Sequence, residues 1–494
     1  MHPLPPTIPR TPSTARRILR TARVAALLPL LSGCFFNDKA DLSLDIPATY
    51  RDADRRPHRA LPEIDWWRGF RSTELTALIE EAQNANLDIA AAMARIVQAD
   101  AQARIANAPL LPIVDLDLGA SQSRSSTAGT STSGGGAGGG ASVSPVRNTF
   151  TAALNGSYEI DFWGKNRALL RAAQQTAIAS RFDREVIALA TMASVANAYF
   201  QVLASQDRLR IARDNVASAS RVLDIIRQRV EVGTATGLDI AQQESLLATQ
   251  RATIPVLEQT LRQNTATLAV LIGKPPERVT VRGGSMRALR VPRVTPGIPS
   301  ELLAQRPDIG EAEALLLGAD ANVEAARAAF FPSIVLTAEG GYQSAALKSL
   351  FQPNAVFYTI ASGLTQPIFD NFRLQGQFEQ QRGRQDELLQ IYRKTVVQAF
   401  ADVDSALVAV QQSARRERLQ REVVTSSRRA FDIAETRLRE GTVDLVTVLT
   451  TQQTLFQAQD ALAQAQLARL QAVVTLYQAL GGGWLLQKET RNAP

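Results

Sequence analysis

The sequence predicts a mostly α-helical chain with a smaller β part, built from long helical hairpins. Three observations point there: apolar residues recurring every seventh position over four or five heptads, a large internal duplication, and short stretches inside each copy where the period drops to two.

The duplication is read from two stretches. Gln228-Arg229-Val230-Glu231-Val232-Gly233-Thr234 is matched by Thr436-Arg437-Leu438-Arg439-Glu440-Gly441-Thr442, and Leu268 to Gly273 is matched by Leu476 to Gly481. Arg229 and Arg437, Gly233 and Gly441, and Gly273 and Gly481 all differ by 208 positions. A constant offset over about 45 residues means two ungapped copies of one large unit rather than a solenoid. Upstream, Ala108-Pro109-Leu110-Leu111-Pro112 corresponds to Ala329-Phe330-Phe331-Pro332 with a shifted spacing.

In copy one the heptad stripes are Val195, Val202, Leu209, Val216, Leu223, Val230 and then Ile240, Leu247, Ile254, Leu261, Leu268. Copy two repeats them as Val403, Val410, Glu417, Val424, Phe431, Leu438 and Val448, Leu455, Leu462, Arg469, Leu476. Such stripes are coiled-coil seams. Ala198, Ser205, Ala212 and Ala219 run beside the first and permit close helix approach. A helix over 167–230 should turn at Gly233 and return to Gly273, with Pro255 kinking or interrupting the return. Helices this long must pack on one another or on other subunits, because one apolar stripe cannot make a globular core.

The alternating stretches come between the first, shorter helix of each copy and its long helix. Val114, Leu116, Leu118 and Ala120 alternate with Asp115, Asp117 and Gly119; Phe150, Ala152, Leu154, Gly156, Tyr158 and Ile160 alternate with Thr151, Asn155, Ser157 and Glu159. Copy two offers Ile334, Leu336, Ala338 and Tyr342, then a weaker strand around Val356, Tyr358, Ile360 and Leu364. Strands of about ten residues, apolar on one face and carboxylate-bearing on the other, fit a membrane barrel with a wet lumen; a half-buried soluble sheet is the alternative. Four strands cannot close such a barrel, and open edges are not viable in lipid, so membrane-spanning strands require oligomerisation.

The N-terminus carries Arg10, Arg16, Arg17, Arg20 and Arg23, the apolar stretch Val24–Leu31, and Leu31-Ser32-Gly33-Cys34. This is a secretory signal followed by a lipobox-like cleavage site, with Cys34 as the expected lipidation point. Phe35 in place of an Asp favours the outer membrane. Five of the seven net positive charges lie in residues 1–33, leaving +2 for the rest, so no nucleic-acid footprint is supported. One Cys and two His, both near the N-terminus, argue against disulfides, zinc and His-dependent triads. The Gly-rich run at 133–140 lacks a following Gly-Lys-Ser/Thr and reads as a flexible, outward-facing loop.

Taken in order, the lipobox, Trp66-Trp67, Asn86-Leu87-Asp88, Ala94-Arg95, Tyr158 to Gly164, Arg306-Pro307-Asp308-Ile309 and Tyr477 to Trp484 resemble the outer-membrane factors of tripartite efflux pumps, the TolC/OprM-like family and its NodT-type lipoprotein branch. The resemblance implies a homotrimer whose long hairpins form a helical barrel, and whose four strands per chain complete a twelve-stranded outer-membrane β-barrel. It also implies a mixed α/β belt, a periplasmic adapter and an inner-membrane RND-type pump as partners, no cofactor beyond the lipid on Cys34, and no enzyme activity. Type I protein secretion, metal export and a non-transport structural lipoprotein stay open as alternatives.

The expected organisation is a signal peptide at 1–33, a lipid-anchored segment at 34–70, repeat one at 71–273, a linker at 274–297, repeat two at 298–483 and a tail at 484–494. The hairpin tips, Arg229, Gly233, Thr234, Arg437, Gly441 and Thr442, are candidate adapter-docking residues or simply good turn residues. By resemblance, Val446 and Thr450, four apart on one helix face, are the aperture candidates. Several relatives carry an Asp at the second position, so a weaker cation preference is expected here. Asp239 and Asp444 either compensate or cap helices.

Overall fold

In the computed structural model, the compact unit Ser43–Pro494 is described over residues 64–124, 146–294 and 299–482. Cys34 with its leader, the Gly-rich run and Trp484 lie outside the described residues. Copy one contains α1 (Thr73–Ala85), α2 (Leu87–Asn107), β1 (Ile113–Ser123), β2 (Arg147–Ile160), α3 (Lys165–Glu231) and α4 (Gly237–Leu271). Copy two repeats the order as α5 (Pro299–Gln305), α6 (Pro307–Ala328), β3 (Ser333–Ser344), β4 (Val356–Thr365), α7 (Arg373–Arg439) and α8 (Leu445–Ala479).

The duplication governs element lengths: α3 and α7 each have 67 residues, and α4 and α8 each have 35. At 1.5 Å per residue the longer pair measure about 100 Å. The interior of α3 contains neither Gly nor Pro. Its heptad residues Val195, Val202, Leu209 and Leu223 are buried, as are Val403, Phe431 and Leu438 on α7. Of the two outcomes expected at Pro255, a break does not occur: α4 runs as one helix through it. Pro255 is exposed, so solvent can reach the acceptor stranded by its missing N–H.

All four long helices end in the same way. Gly233, Gly273, Gly441 and Gly481 adopt φ between 67° and 75°, a conformation costly for other L-residues. The residue after each glycine donates its N–H back to the carbonyl five positions earlier: Thr234 to Arg229, Lys274 to Ala269, Thr442 to Arg437 and Gly482 to Tyr477. These are Schellman motifs, which satisfy carbonyls that the helix leaves open.

The short helices of each copy break at one residue, Asn86 in copy one and Arg306 in copy two. Both are extended and both reach the end of the returning helix. Asn86 Nδ2 donates to the Leu271 carbonyl at 2.8 Å, and Arg306 Nη1 donates to the Ala479 carbonyl at 3.1 Å. Those carbonyls are again 208 apart. Arg306 also pairs with Asp308 at 2.6 Å and Asp402 at 3.1 Å. Burial pulls its guanidinium pKa down, and the two carboxylates outweigh that effect and raise it.

The main core gathers Phe70, Leu75 and Ile79 against Val195, Phe200 and Val202 of α3, Leu268 of α4, and Val473 and Val474 of α8. Trp66 stacks on Tyr477 with centroids 5.1 Å apart, tying the N-terminal segment to α8. Among the described residues, all strand pairing belongs to one sheet of order β1-β2-β3-β4. Among the described residues, this core is made of helices, 3-10 turns and extended backbone. The extended segment near 279–294 packs side chains such as Val281 and Met286 on the core rather than pairing its backbone with a strand.

Copy two breaks its stripes at Glu417 and Arg469, and the structure pairs those two residues with each other at 2.7 Å. Their copy-one counterparts, 208 positions earlier, are Leu209 and Leu261. Where copy one has two leucines, copy two has a partly buried ion pair, with Arg421 adding a second cation at Glu417.

Candidate functional site

The sheet sorts its side chains by period two. Val114, Gly156, Ala338 and Ile360 form one row of cross-strand partners, and Leu116, Leu154, Gly340 and Tyr358 form another on the same face. The opposite face carries the row Asp115, Asn155, Glu339 and Thr359. Asn155 bonds diagonally to Asp117 on this face, and Lys165 pairs with Glu159 at 2.6 Å below it. Gly341 is required by close strand approach, since a Cβ there would lie 2.2 Å from the Ala152 carbonyl oxygen. The strands β1 and β4 are the edges, and their side chains are exposed almost throughout. One copy therefore presents two unpaired strand edges alongside an apolar face, an arrangement that lipid excludes until the sheet closes.

Below the sheet, the strands pass to long helices through capped corners. Asp161 accepts hydrogen bonds from the Asn166 and Arg167 N–H groups at 3.0 and 2.9 Å. Burial raises its pKa, and these bonds with the Arg167 side chain outweigh that and lower it. Trp163 stacks on Phe331 at 4.6 Å and donates Nε1–H to the Pro332 carbonyl at 2.8 Å.

At the far ends of the hairpins, Gly233, Thr234, Gly441 and Thr442 are exposed. Arg229 donates to the Leu438 carbonyl, joining the two tips, and also reaches the Thr234 carbonyl at 3.3 Å. Arg437 is exposed. The equal-ranking arginines of the sequence motif thus have different surroundings, which the duplication alone did not distinguish.

Val446 is 58% exposed and Thr450 is exposed beside it on α8. The Thr450 hydroxyl donates to the Val446 carbonyl at 2.8 Å. Asp444 is the N-cap of α8: the Thr447 hydroxyl and N–H hydrogen-bond its carboxyl and hold it below the usual carboxylate range. Asp239 closes a reciprocal capping box with Thr236 at the start of α4. Both carboxylates are engaged as helix caps.

Hairpins whose longer helix measures about 100 Å, attached to a sheet with an apolar face and two open edges, define an outer-membrane channel subunit. The chain belongs to the outer membrane efflux protein family, whose model matches residues 78–274 and 298–482. It is an outer-membrane efflux channel, a passive conduit and not an enzyme, whose family assembles as trimers that work with efflux pumps. It is 42% identical over 472 residues to the pyoverdine export outer membrane protein OpmQ of Pseudomonas putida, covering 95% of this chain and 99% of that protein. With the toluene efflux pump outer membrane protein TtgF of Pseudomonas putida it shares 33% identity, over 85% of this chain and 86% of TtgF. The crystal structure of the outer membrane protein VceC of Vibrio cholerae superposes with a TM-score of 0.78 at 26% identity, covering 85% of this chain and 99% of VceC. Trimeric closure of this architecture gives a helical barrel above which three four-stranded sheets complete twelve strands.

Proposed function

We propose that this channel is the exit duct of an RND-type inner-membrane pump, reached through a periplasmic adapter that meets the tips at Gly233 and Gly441. The observation carrying this reading is the pair of equal hairpins, each ending in the same exposed Gly-Thr turn and tied together by Arg229. Two such tips per chain, three chains per channel, offer a repeated docking surface for coiled-coil ends. The name of the 42% identical relative supports an organic small molecule of the pyoverdine kind as cargo. Cys34 carries the lipid, which adds an anchor to that of the barrel. Val446 and Thr450 face the pore and form its narrowest ring.

The test is Gly233→Val with Gly441→Val. Strain at the two left-handed positions, about 1–2 kcal/mol each, deforms the tips while the core of the hairpins holds. Export in cells should be lost with trimers intact in the outer membrane; normal export would remove the docking role.

A further inference from the structure

Positive charge beyond the leader is concentrated in one segment. Between the repeats, residues 274–294 hold six basic residues and one acid, a charge of +5. Residues 34–494 together total +2, so everything in them outside this segment stands at −3. Arg278, Arg282, Arg287, Arg290 and Arg293 are all exposed. Among the described residues, Lys274 pairs with Glu81, and the five arginines pair with no carboxylate. Arginines on the neighbouring stretch of α3 are paired instead: Arg208 with Asp460, Arg210 with Asp207 and Arg213 with Glu258.

The segment is fixed to the helices along its length. Gln206 donates to the Val281 carbonyl at 3.0 Å, and the Arg282 N–H donates to Glu74 at 2.8 Å. Asp207 accepts from the Ser285 hydroxyl and the Met286 N–H, both at 3.0 Å, and the Arg290 N–H donates to the Phe70 carbonyl at 3.1 Å. Val281 and Met286 are buried in the core below, which leaves the arginines outermost. Beside Arg287 a cleft of about 640 Å³ opens toward α7 and α8. Its one carboxylate, Glu417, is already shared by Arg421 and Arg469, so Arg287 has no acid there. Like charges held together in a fixed frame repel one another until an anion meets them. Holding them in place beforehand lowers the ordering cost of meeting it.

Position decides which anion. Asp207 lies about 63 Å along α3 from Lys165, where the sheet ends, at 1.5 Å per residue. Lipid phosphates at the sheet are therefore several Debye lengths away, each about 8 Å at physiological ionic strength. The tips lie about 36 Å further on, at Glu231. On α8 the cleft is lined by Leu462, Gln466, Arg469 and Leu470. At 3.6 residues per turn these centre about half a turn around the helix from Val446 and Thr450. The segment thus lies on the outer side of the barrel, on the reading that those two residues face the pore. A band at that depth, facing outward from a periplasmic duct, meets the wall polymer that the duct must cross. We infer that the inter-repeat segment is a basic belt that binds peptidoglycan through the free carboxylates of its peptide stems. Arginine suits that partner, because its planar fork takes a carboxylate by two parallel hydrogen bonds.

Co-sedimentation of full-length, detergent-purified trimers with isolated sacculi tests the belt. The parent protein should be retained at low salt and released as salt rises. Sacculi whose carboxylates have been converted to amides should retain at least tenfold less. A belt variant carrying Arg278→Gln, Arg282→Gln, Arg287→Gln, Arg290→Gln and Arg293→Gln should also lose at least tenfold. A control variant with Arg221→Gln, Arg251→Gln, Arg262→Gln, Arg428→Gln and Arg429→Gln removes the same charge from exposed arginines elsewhere and should stay within twofold of the parent. Equal losses in the two variants would mean that net charge, not the belt, attracts the wall, and would overturn the inference. Undiminished retention on amidated sacculi overturns the carboxylate chemistry. No retention of the parent overturns the partner and leaves the belt to an acidic protein face. Loss of native-gel trimers in the belt variant would place these arginines between copies and overturn it too. Adapter, pump and export do not enter this assay, so the docking and aperture readings stand or fall separately.

Discussion

The ion pair between Glu417 and Arg469 replaces the copy-one leucines Leu209 and Leu261, so the chain contains its own apolar reference for the same position. Glu417 has only 6% of its side chain exposed, and Arg469 has 33%. Breaking a buried pair by removing one partner costs about 3–5 kcal/mol, while replacing both by packed apolar residues is often neutral or stabilising. Arg469→Leu leaves the buried carboxylate with Arg421 alone, whose side chain is 61% exposed, and should cost about 3 kcal/mol. Glu417→Leu should cost less, about 1–2 kcal/mol, since an arginine a third exposed can extend its head to water. The double Leu variant should lie within about 1 kcal/mol of the parent. Denaturant titration of detergent-solubilised trimers, followed by helical circular dichroism, gives the four corners of the cycle. Additive single effects in the double variant would refute the pairing argument, because uncoupled residues have no shared term to recover.

Glu311 offers a pH test. Burial first, and then the charges of Asp183 and Asp308, raise its pKa from 4.5 to about 7. A carboxyl raised in the folded state contributes stability that is complete below pH 4.5 and lost as pH rises through about 7. Glu311→Gln should flatten that decline in trimer melting temperature, and an unchanged slope between pH 5 and 8 would count against it. Gly273→Ala should destabilise the trimer more than the about 1–2 kcal/mol of left-handed strain, because its Cβ would lie 2.3 Å from the Ala85 carbonyl oxygen. Gly233→Ala, with nothing within 4 Å, should show the strain alone; equal losses in thermal melts would contradict this difference. At the aperture, Val446→Ser should raise leak conductance and Thr450→Asp should increase cation preference. Bilayer recordings unchanged in both would place the constriction elsewhere.

The periodicities of the sequence determined a great deal by themselves. A stripe every seventh residue from Val195 to Val230 dictates a helix whatever surrounds it, because only that geometry keeps those side chains on one face. The recurring glycines at 233, 273, 441 and 481 likewise mark helix ends, since the left-handed backbone they supply is a local property. Alternation in β1 and β2 fixed which residues share a face, and the pleat needs no partner for that. What the sequence left undetermined depends on distant partners. Asp239 and Asp444 read equally well as pore charges or caps until Thr236 and Thr447 were seen to bind them. Arg229 and Arg437 occupy matching places in a repeated motif, yet within one chain it is Arg229 that reaches the other tip, a contact the duplication by itself does not reveal. Glu417 and Arg469 looked like separate flaws in two seams; they meet only when α7 and α8 fold together across 52 residues of chain. Local geometry is encoded by neighbours in sequence, whereas the pairing of buried charges is settled by which helices lie side by side.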